Sequence, residues 1–410
     1  NKDRHTWLEM MHLLVGVDAP DENTFVIELS EPYYPLLTEL GVTRPFAMIS
    51  PKAMKNGSTK DGVEAYIGTG PYVLDEFVTD EYAVFKANPN YWGEQPAIKT
   101  ITVKVIPDNQ TRILALEKGE IDMIFGKNMI DADAINQYLD SDKFTVELSE
   151  PTSTRQIVLN TSSDILSEKD VRVALQHATN KQNISDGIFY GLEKPADTLF
   201  ASTIPYCDIK LEPYAYNLEL AGQILDDAGW KMGSGNIREK DGQKLEIKFL
   251  CSEGNSVLET LIPMVKKTYL DLGVDLKQTT VDFSTLLSNI QDESHDSEWN
   301  MCFLATGFTD NQDTSANNSY TNNPDNMAVK NYSRINDQAL VDKLTKARAE
   351  SNAEKSKAEY VEAMKMAADD AGYMPVYSGM QFNLYNKKVD LTGTGTLRNW
   401  SQSMDTITVK

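Results

Sequence analysis

Between Leu245 and Gln278 the chain reads as strand, helix, strand: Leu245-Glu-Ile-Lys-Phe-Leu250, a helical stretch from about Ser256 to Leu272, then Gly273 and Val274-Asp-Leu-Lys-Gln278. A strand that leaves through a helix and returns to the same sheet pairs in parallel, and such crossovers are right-handed. This unit commits the chain to the α/β class. Pro263 falls inside the helical stretch, where its missing N–H predicts a kink or a later helix start. At 410 residues the chain is too long for one ordinary core, so two or more lobes are expected.

The flanking segments agree. Thr24–Leu29, Tyr82–Lys86 and Ile98–Ile106 have the composition or the two-residue alternation of strands. Asp108 is placed to cap a helix through Lys118, Gly119 to stop it, and Ile121–Phe125 to follow as a short buried strand. Ile157-Val-Leu159 reads as a strand. Ser167-Glu-Lys-Asp170 has the shape of a capping box before the apolar-periodic Val171, Ala174, Leu175 and Ala178. Asn217 can cap a helix that ends at Gly229. Residues 335–371, with their Glu/Lys pairs, read as a solvated outer helix pair. Residues 310–333 form a polar loop long enough to be disordered or functional, and Tyr373–Tyr377 returns as strand.

Composition narrows the function. A net charge of −22 argues against a nucleic-acid partner, which needs a basic surface. No run of eighteen apolar residues is present, so no helical membrane span is expected. Cys207, Cys251 and Cys302 are odd in number and far apart, which excludes a disulfide framework and leaves no zinc-finger spacing. Nucleophile elbow, Walker A loop, dinucleotide fingerprint and HExxH are all missing, so neither an enzyme nor a resident cofactor is expected. Of the four histidines, His5 and His12 could share a helix face but fit surface or core roles better. His177 suits packing or capping in a helix, and His295 sits in an acidic loop with Asp292, Glu293, Asp296 and Glu298.

Seven segments in order carry a resemblance: Gly68-Thr-Gly-Pro-Tyr72, Asn88-Pro-Asn-Tyr-Trp-Gly93, Gly119-Glu-Ile-Asp122, Asn160-Thr161, Asp170-Val-Arg-Val-Ala-Leu175 with Asn180-Lys181, Ala228-Gly-Trp230 and Met374-Pro-Val-Tyr377. Together they resemble the bacterial solute-binding proteins that serve nickel, dipeptide and oligopeptide ABC importers. Arg4-His-Thr-Trp-Leu-Glu9, Tyr33-Tyr-Pro35, Arg44-Pro-Phe46, Ala196–Phe200 and Ile237–Gly242 are most similar to the nickel-binding members. The resemblance begins well inside the usual sequence of that family, and Asn1 follows no leader, so a fragment with an incomplete first lobe is expected. The resemblance implies the two-lobed periplasmic-binding-protein fold (class II, cluster C type), with hinge strands between lobes. It places lobe I at 1–156 plus 378–410 and lobe II at 157–377. It also implies an extracytoplasmic protein, free in a periplasm or lipid-anchored, that hands a small ligand to a membrane permease as a monomer.

For ligand contact the resemblance carries over Arg4, Trp7 and Arg44. A guanidinium fork grips a carboxylate in two bonds, and an aromatic face covers an apolar or ring part. Each has a plain alternative as a surface arginine or core tryptophan. In the second lobe the family's nickel binders place a tryptophan, a tyrosine and then a metal-ligating histidine. Here Gly307 stands near the tryptophan position with Phe308 beside it, Asn311 stands near the tyrosine, and no histidine occurs after His295. A metal would therefore have to arrive pre-chelated. Tyr377, at the second hinge crossing, and Ser401, near the C-terminal return, are further candidates. A dipeptide or oligopeptide ligand is the alternative.

Overall fold

The computed structural model describes residues 5, 8–41, 46, 48–126, 129–151, 153–204, 206–209, 211, 214–306, 320, 331–391 and 404–410. The chain separates into two compact units, Leu40–Glu150 with Met380–Lys410, and Lys2–Glu39 with Pro151–Gly379.

The second unit holds β1 (Ser153–Leu159), α1 (Lys169–His177), α2 (Lys181–Phe189), α3 (Leu218–Asp227), β2 (Glu246–Ser252), α4 (Ser256–Leu272), β3 (Asp275–Val281), α5 (Phe283–Gln291), β4 (Met301–Thr306), α6 (Gln338–Ala349), α7 (Ala353–Asp370) and β5 (Tyr373–Gly379). The strands form one sheet in the order β3-β2-β4-β1-β5. β2 and β3 pair in parallel, from Glu246 opposite Asp275 to Ser252 opposite Val281, the crossover expected from the sequence. β1, between β4 and the edge strand β5, runs antiparallel to both its neighbours, with Val158 opposite Cys302 and Tyr373. Alternation sends these three side chains to one face. There they join Leu286, Ile290, Leu340, Leu344, Tyr360 and Met364 in a single buried cluster, so α5, α6 and α7 cover that side.

Local signals succeeded unevenly. The Asp108 carboxylate accepts from Thr111 N at 2.7 Å and caps Asn109–Glu117. The Asn217 amide oxygen accepts from Leu220 N at 2.9 Å and caps α3. The expected strand at 121–125 shortens to Met123–Ile124. The capping box at 167–170 does not form, because Ser167 Oγ donates back to Asp164 O. Glu168, at the N-cap of α1, instead accepts from Lys240 Nζ at 2.7 Å and Trp230 Nε1 at 3.3 Å. Pro263 neither starts nor ends α4, which runs 17 residues through it. Residues 335–371 divide into α6 and α7. Their outer faces carry pairs such as Lys343–Glu359 at 2.9 Å, while Leu340, Leu344, Ala363 and Ala367 are buried in the core.

Cys207, Cys251 and Cys302 are all buried and unbridged. Burial pushes the Cys207 and Cys251 thiols up to about 12, and Cys302 higher still. Since the thiolate is the reactive form, a thiol reagent such as dithionitrobenzoate should titrate no cysteine in the native protein and three after denaturation.

In the first unit, Tyr72–Val78, Tyr82–Ala87 and Thr100–Lys104 form an antiparallel sheet. Phe382–Asn386 pairs between Met123–Ile124 and Phe144–Leu148. Asn88 ties two of the recognised segments together. Its Nδ2 donates to Gly70 O at 2.9 Å, and its Oδ1 accepts from Asn90 N at 3.0 Å.

Candidate functional site

Tyr377 stands near the end of β5, two residues before the chain leaves the second unit. Opposite it in register is Arg155, near the start of β1, and the pairing shifts immediately afterwards, between Arg155 and Gln156. Such an irregularity re-aims side chains at a strand end. Gly379 allows the close approach there: a Cβ on it would fall 2.5 Å from Ser153 Oγ and 3.6 Å from Arg155 Nε. The segment 194–196 lies along β5, with Ser378 N donating to Lys194 O at 2.7 Å and Ala196 N to Val376 O at 3.2 Å.

The Tyr377 ring is 2% exposed. Its centroid lies 4.3 Å from that of Phe189 on α2 and 6.2 Å from that of Phe303 on β4. Burial drives the Tyr377 phenol well above the usual tyrosine range. The nearby Glu193 carboxylate adds to this and the Arg155 guanidinium opposes it. The phenol therefore stays protonated and neutral. Glu193 is itself buried beside it, whereas Arg155 is only half-buried. Among the described residues the Arg155 guanidinium makes no hydrogen bond or ion pair. A guanidinium fork at the edge of an aromatic wall is suited to gripping a small ligand's carboxylate, with the Glu193 charge opposing that grip.

Tyr377 thus stands in a built environment. Arg4, Trp7, Arg44, Phe308, Asn311 and Ser401 lie outside the described residues. Sequence reasoning passed over Arg155, Phe189, Glu193 and Phe303. Arg155 left one signal, a charged residue in a strand whose other members are buried. Among the histidines, Nδ1 of His177 bonds Ala215 O at 2.7 Å and its ring meets Tyr214 edge-on, a packing role. His295 bonds Glu298 at 2.9 Å. His12 lies in the helix Glu9–Leu13 and His5 does not. Among the described residues no three His, Cys, Asp or Glu side chains stand close enough to hold a metal ion, and no helix is long and apolar enough to cross a membrane.

The model of the bacterial extracellular solute-binding proteins, family 5 (middle region), matches residues 1–328. The nickel-binding periplasmic protein of Escherichia coli K12 is 34% identical over 379 residues, covering 92% of this chain and 71% of that protein. The oligopeptide-binding protein AppA of Bacillus subtilis is 27% identical over 331 residues, covering 76% of this chain and 56% of that protein. Among solved structures, NikA from Brucella suis in complex with Fe(III)-EDTA superposes with a TM-score of 0.89 at 33% identity. That match covers all of this chain and 82% of the other.

Proposed function

Because the chain belongs to the bacterial extracellular solute-binding proteins of family 5, we propose that it is the capture subunit of an ABC importer and that its cargo is a nickel chelate or a related metallophore complex. The similarity to a nickel-binding protein along nearly the whole chain carries this reading. The sequence adds a constraint on the form of the cargo. With no histidine after His295, an imidazole ligand from the loop that follows Met301–Leu304 is not on offer. The metal therefore arrives with its donor atoms on a small organic chelator, and nickel accepts the nitrogen and oxygen donors that such chelators carry.

The chain's own work is then to recognise carboxylates and cover the complex. Arg155 grips a carboxylate, and Tyr377, with Phe189 and Phe303 behind it, forms an apolar wall. Arg4, Trp7, Arg44, Phe308, Asn311 and Ser401 complete the contact set. The protein acts outside the cytoplasm, as a monomer, and delivers the loaded ligand to a membrane permease without chemical change. The match to an oligopeptide-binding relative favours a second reading in which the same arginine holds a peptide carboxylate.

Native mass spectrometry of the protein isolated from its producing cells separates the two. An adduct with a nickel isotope pattern plus the mass of a small chelator is expected. A metal-free adduct of peptide mass would replace the metal reading with the peptide one.

A further inference from the structure

A cavity lies within the second unit, and neither Tyr377 nor Arg155 lines it. It has a volume of 260 Å³, and its walls come from the end of α1, the start of α2, the segment 195–199, Leu211, the segment 214–216 and one face of α7. Its lining is chemically mixed. Asn180, Lys181 and Asp197 supply polar groups, the first two where α2 begins. The Asn180 side chain caps that helix by accepting from Asn183 N at 2.9 Å. Leu199, Tyr320, Met364, Ala367 and Tyr373, all nearly fully buried, supply the apolar part of the wall.

We propose that this cavity is a ligand site for a small monocarboxylate with an apolar or aromatic body, its carboxylate held by Lys181 at the start of α2 and its body packed against Met364, Ala367 and Tyr373. Lys181 is the one cation lining the cavity among the described residues. Its Nζ donates to Ala196 O at 3.1 Å, which leaves further donor capacity on the ammonium. Although the residue as a whole is half-buried, burial pulls the ammonium down to about 8, and the Asp197 carboxylate only partly opposes this. A carboxylate ligand would supply the missing compensation. The start of a helix adds a favourable potential for an anion beside Lys181. The volume lies just below the usual range for ligand pockets, which restricts the ligand to a compact molecule. Inorganic anions would leave the apolar part of the lining without contact.

Phenylacetate and hexanoate, titrated into the full-length protein and followed by saturation-transfer NMR and calorimetry, test the site. Binding at low-millimolar concentration or tighter is expected for at least one of them. Lys181→Met keeps the stem but removes the charge, and should weaken binding by about tenfold or more. Ala368→Leu narrows the cavity at its half-buried rim and should weaken it comparably without removing a charge. Arg155→Ala should leave it unchanged. Failure of both probes to bind the folded wild-type protein would overturn the proposal, as would equal affinity in Lys181→Met. Competition by the transport ligand at Arg155 would also overturn it, since the two sites are distinct. A thermal unfolding scan of each variant separates lost folding from lost binding.

Discussion

Replacing Arg238 with alanine should destabilise the second unit by about 3 kcal/mol, because one helix end and the turn after another depend on one guanidinium. Arg238 is 6% exposed. Its Nε donates to Leu272 O at 2.8 Å, at the last residue of α4, and its Nη1 donates to Trp230 O at 2.7 Å, just beyond α3. The final carbonyls of a helix have no partner within the helix, and the negative end of its dipole favours a cation. The ion pair to Asp226 at 2.8 Å contributes little, since that carboxylate is half-exposed. The loss comes instead from stranding two carbonyls at roughly 1–3 kcal/mol each, less whatever water recovers. Gly273 explains why the guanidinium fits. It ends α4 with a φ of +88°, and a Cβ there would lie 2.9 Å from Arg238 Cγ. Urea unfolding followed by tryptophan fluorescence reads the effect as a lower midpoint with an unchanged slope. Arg238→Lys, which can reach only one carbonyl at a time, should fall between the two. A midpoint unchanged in Arg238→Ala would show that water replaces the fork at no net loss.

Arg238 belongs to a segment whose likeness to the nickel binders was read from sequence, and its role shows what such segments report. Asn160 is fully buried and holds Asp296 O and Trp299 O at 3.0 and 3.2 Å. Arg172 spans from Leu166 O at 2.8 Å to Asp370 O at 2.8 Å. Trp230 packs at 1% exposure against Glu168 and Lys240. These polar groups pin loops and helix ends, where a buried donor or acceptor must find one particular partner. That requirement fixes residue type and spacing, so the segments are legible and the fold with them. The parallel crossover was legible for a related reason, since alternation and turn residues encode it locally. The pairing order β3-β2-β4-β1-β5 was not, because β1 meets β4 and β5 only through contacts between residues more than a hundred positions apart. The site was hardest to see. Arg155 and Tyr377 meet only through register across β1 and β5, and Phe189 and Phe303 join them from elements that carry no local mark of ligand chemistry. Contacts made only through strand register leave no spacing in the sequence to read.

If the cargo is the proposed nickel chelate, Arg155→Ala should weaken binding of a nickel–polycarboxylate complex by about 30-fold or more while leaving the unfolding midpoint nearly unchanged. The two halves of that expectation have different origins. Losing one member of a desolvated charge pair typically costs about 2–5 kcal/mol, and about 1.4 kcal/mol is a factor of ten in affinity. Folding is spared because the Arg155 side chain makes no hydrogen bond or ion pair among the described residues, and its backbone pairing with Tyr377 and Ala305 survives truncation. Arg155→Lys keeps the charge but loses the planar fork, so a partial loss is expected if the grip is bidentate and almost none if it is a point-charge attraction. Tyr377→Phe keeps the ring against Phe189 and removes only the phenol. It should cost much less than Arg155→Ala if the residue serves as a wall, and comparably if the neutral hydroxyl donates to the ligand. Calorimetric titration of the three variants distinguishes these cases. Unchanged affinity in Arg155→Ala would place the carboxylate grip elsewhere, and Arg44→Ala would then be the variant expected to show the loss.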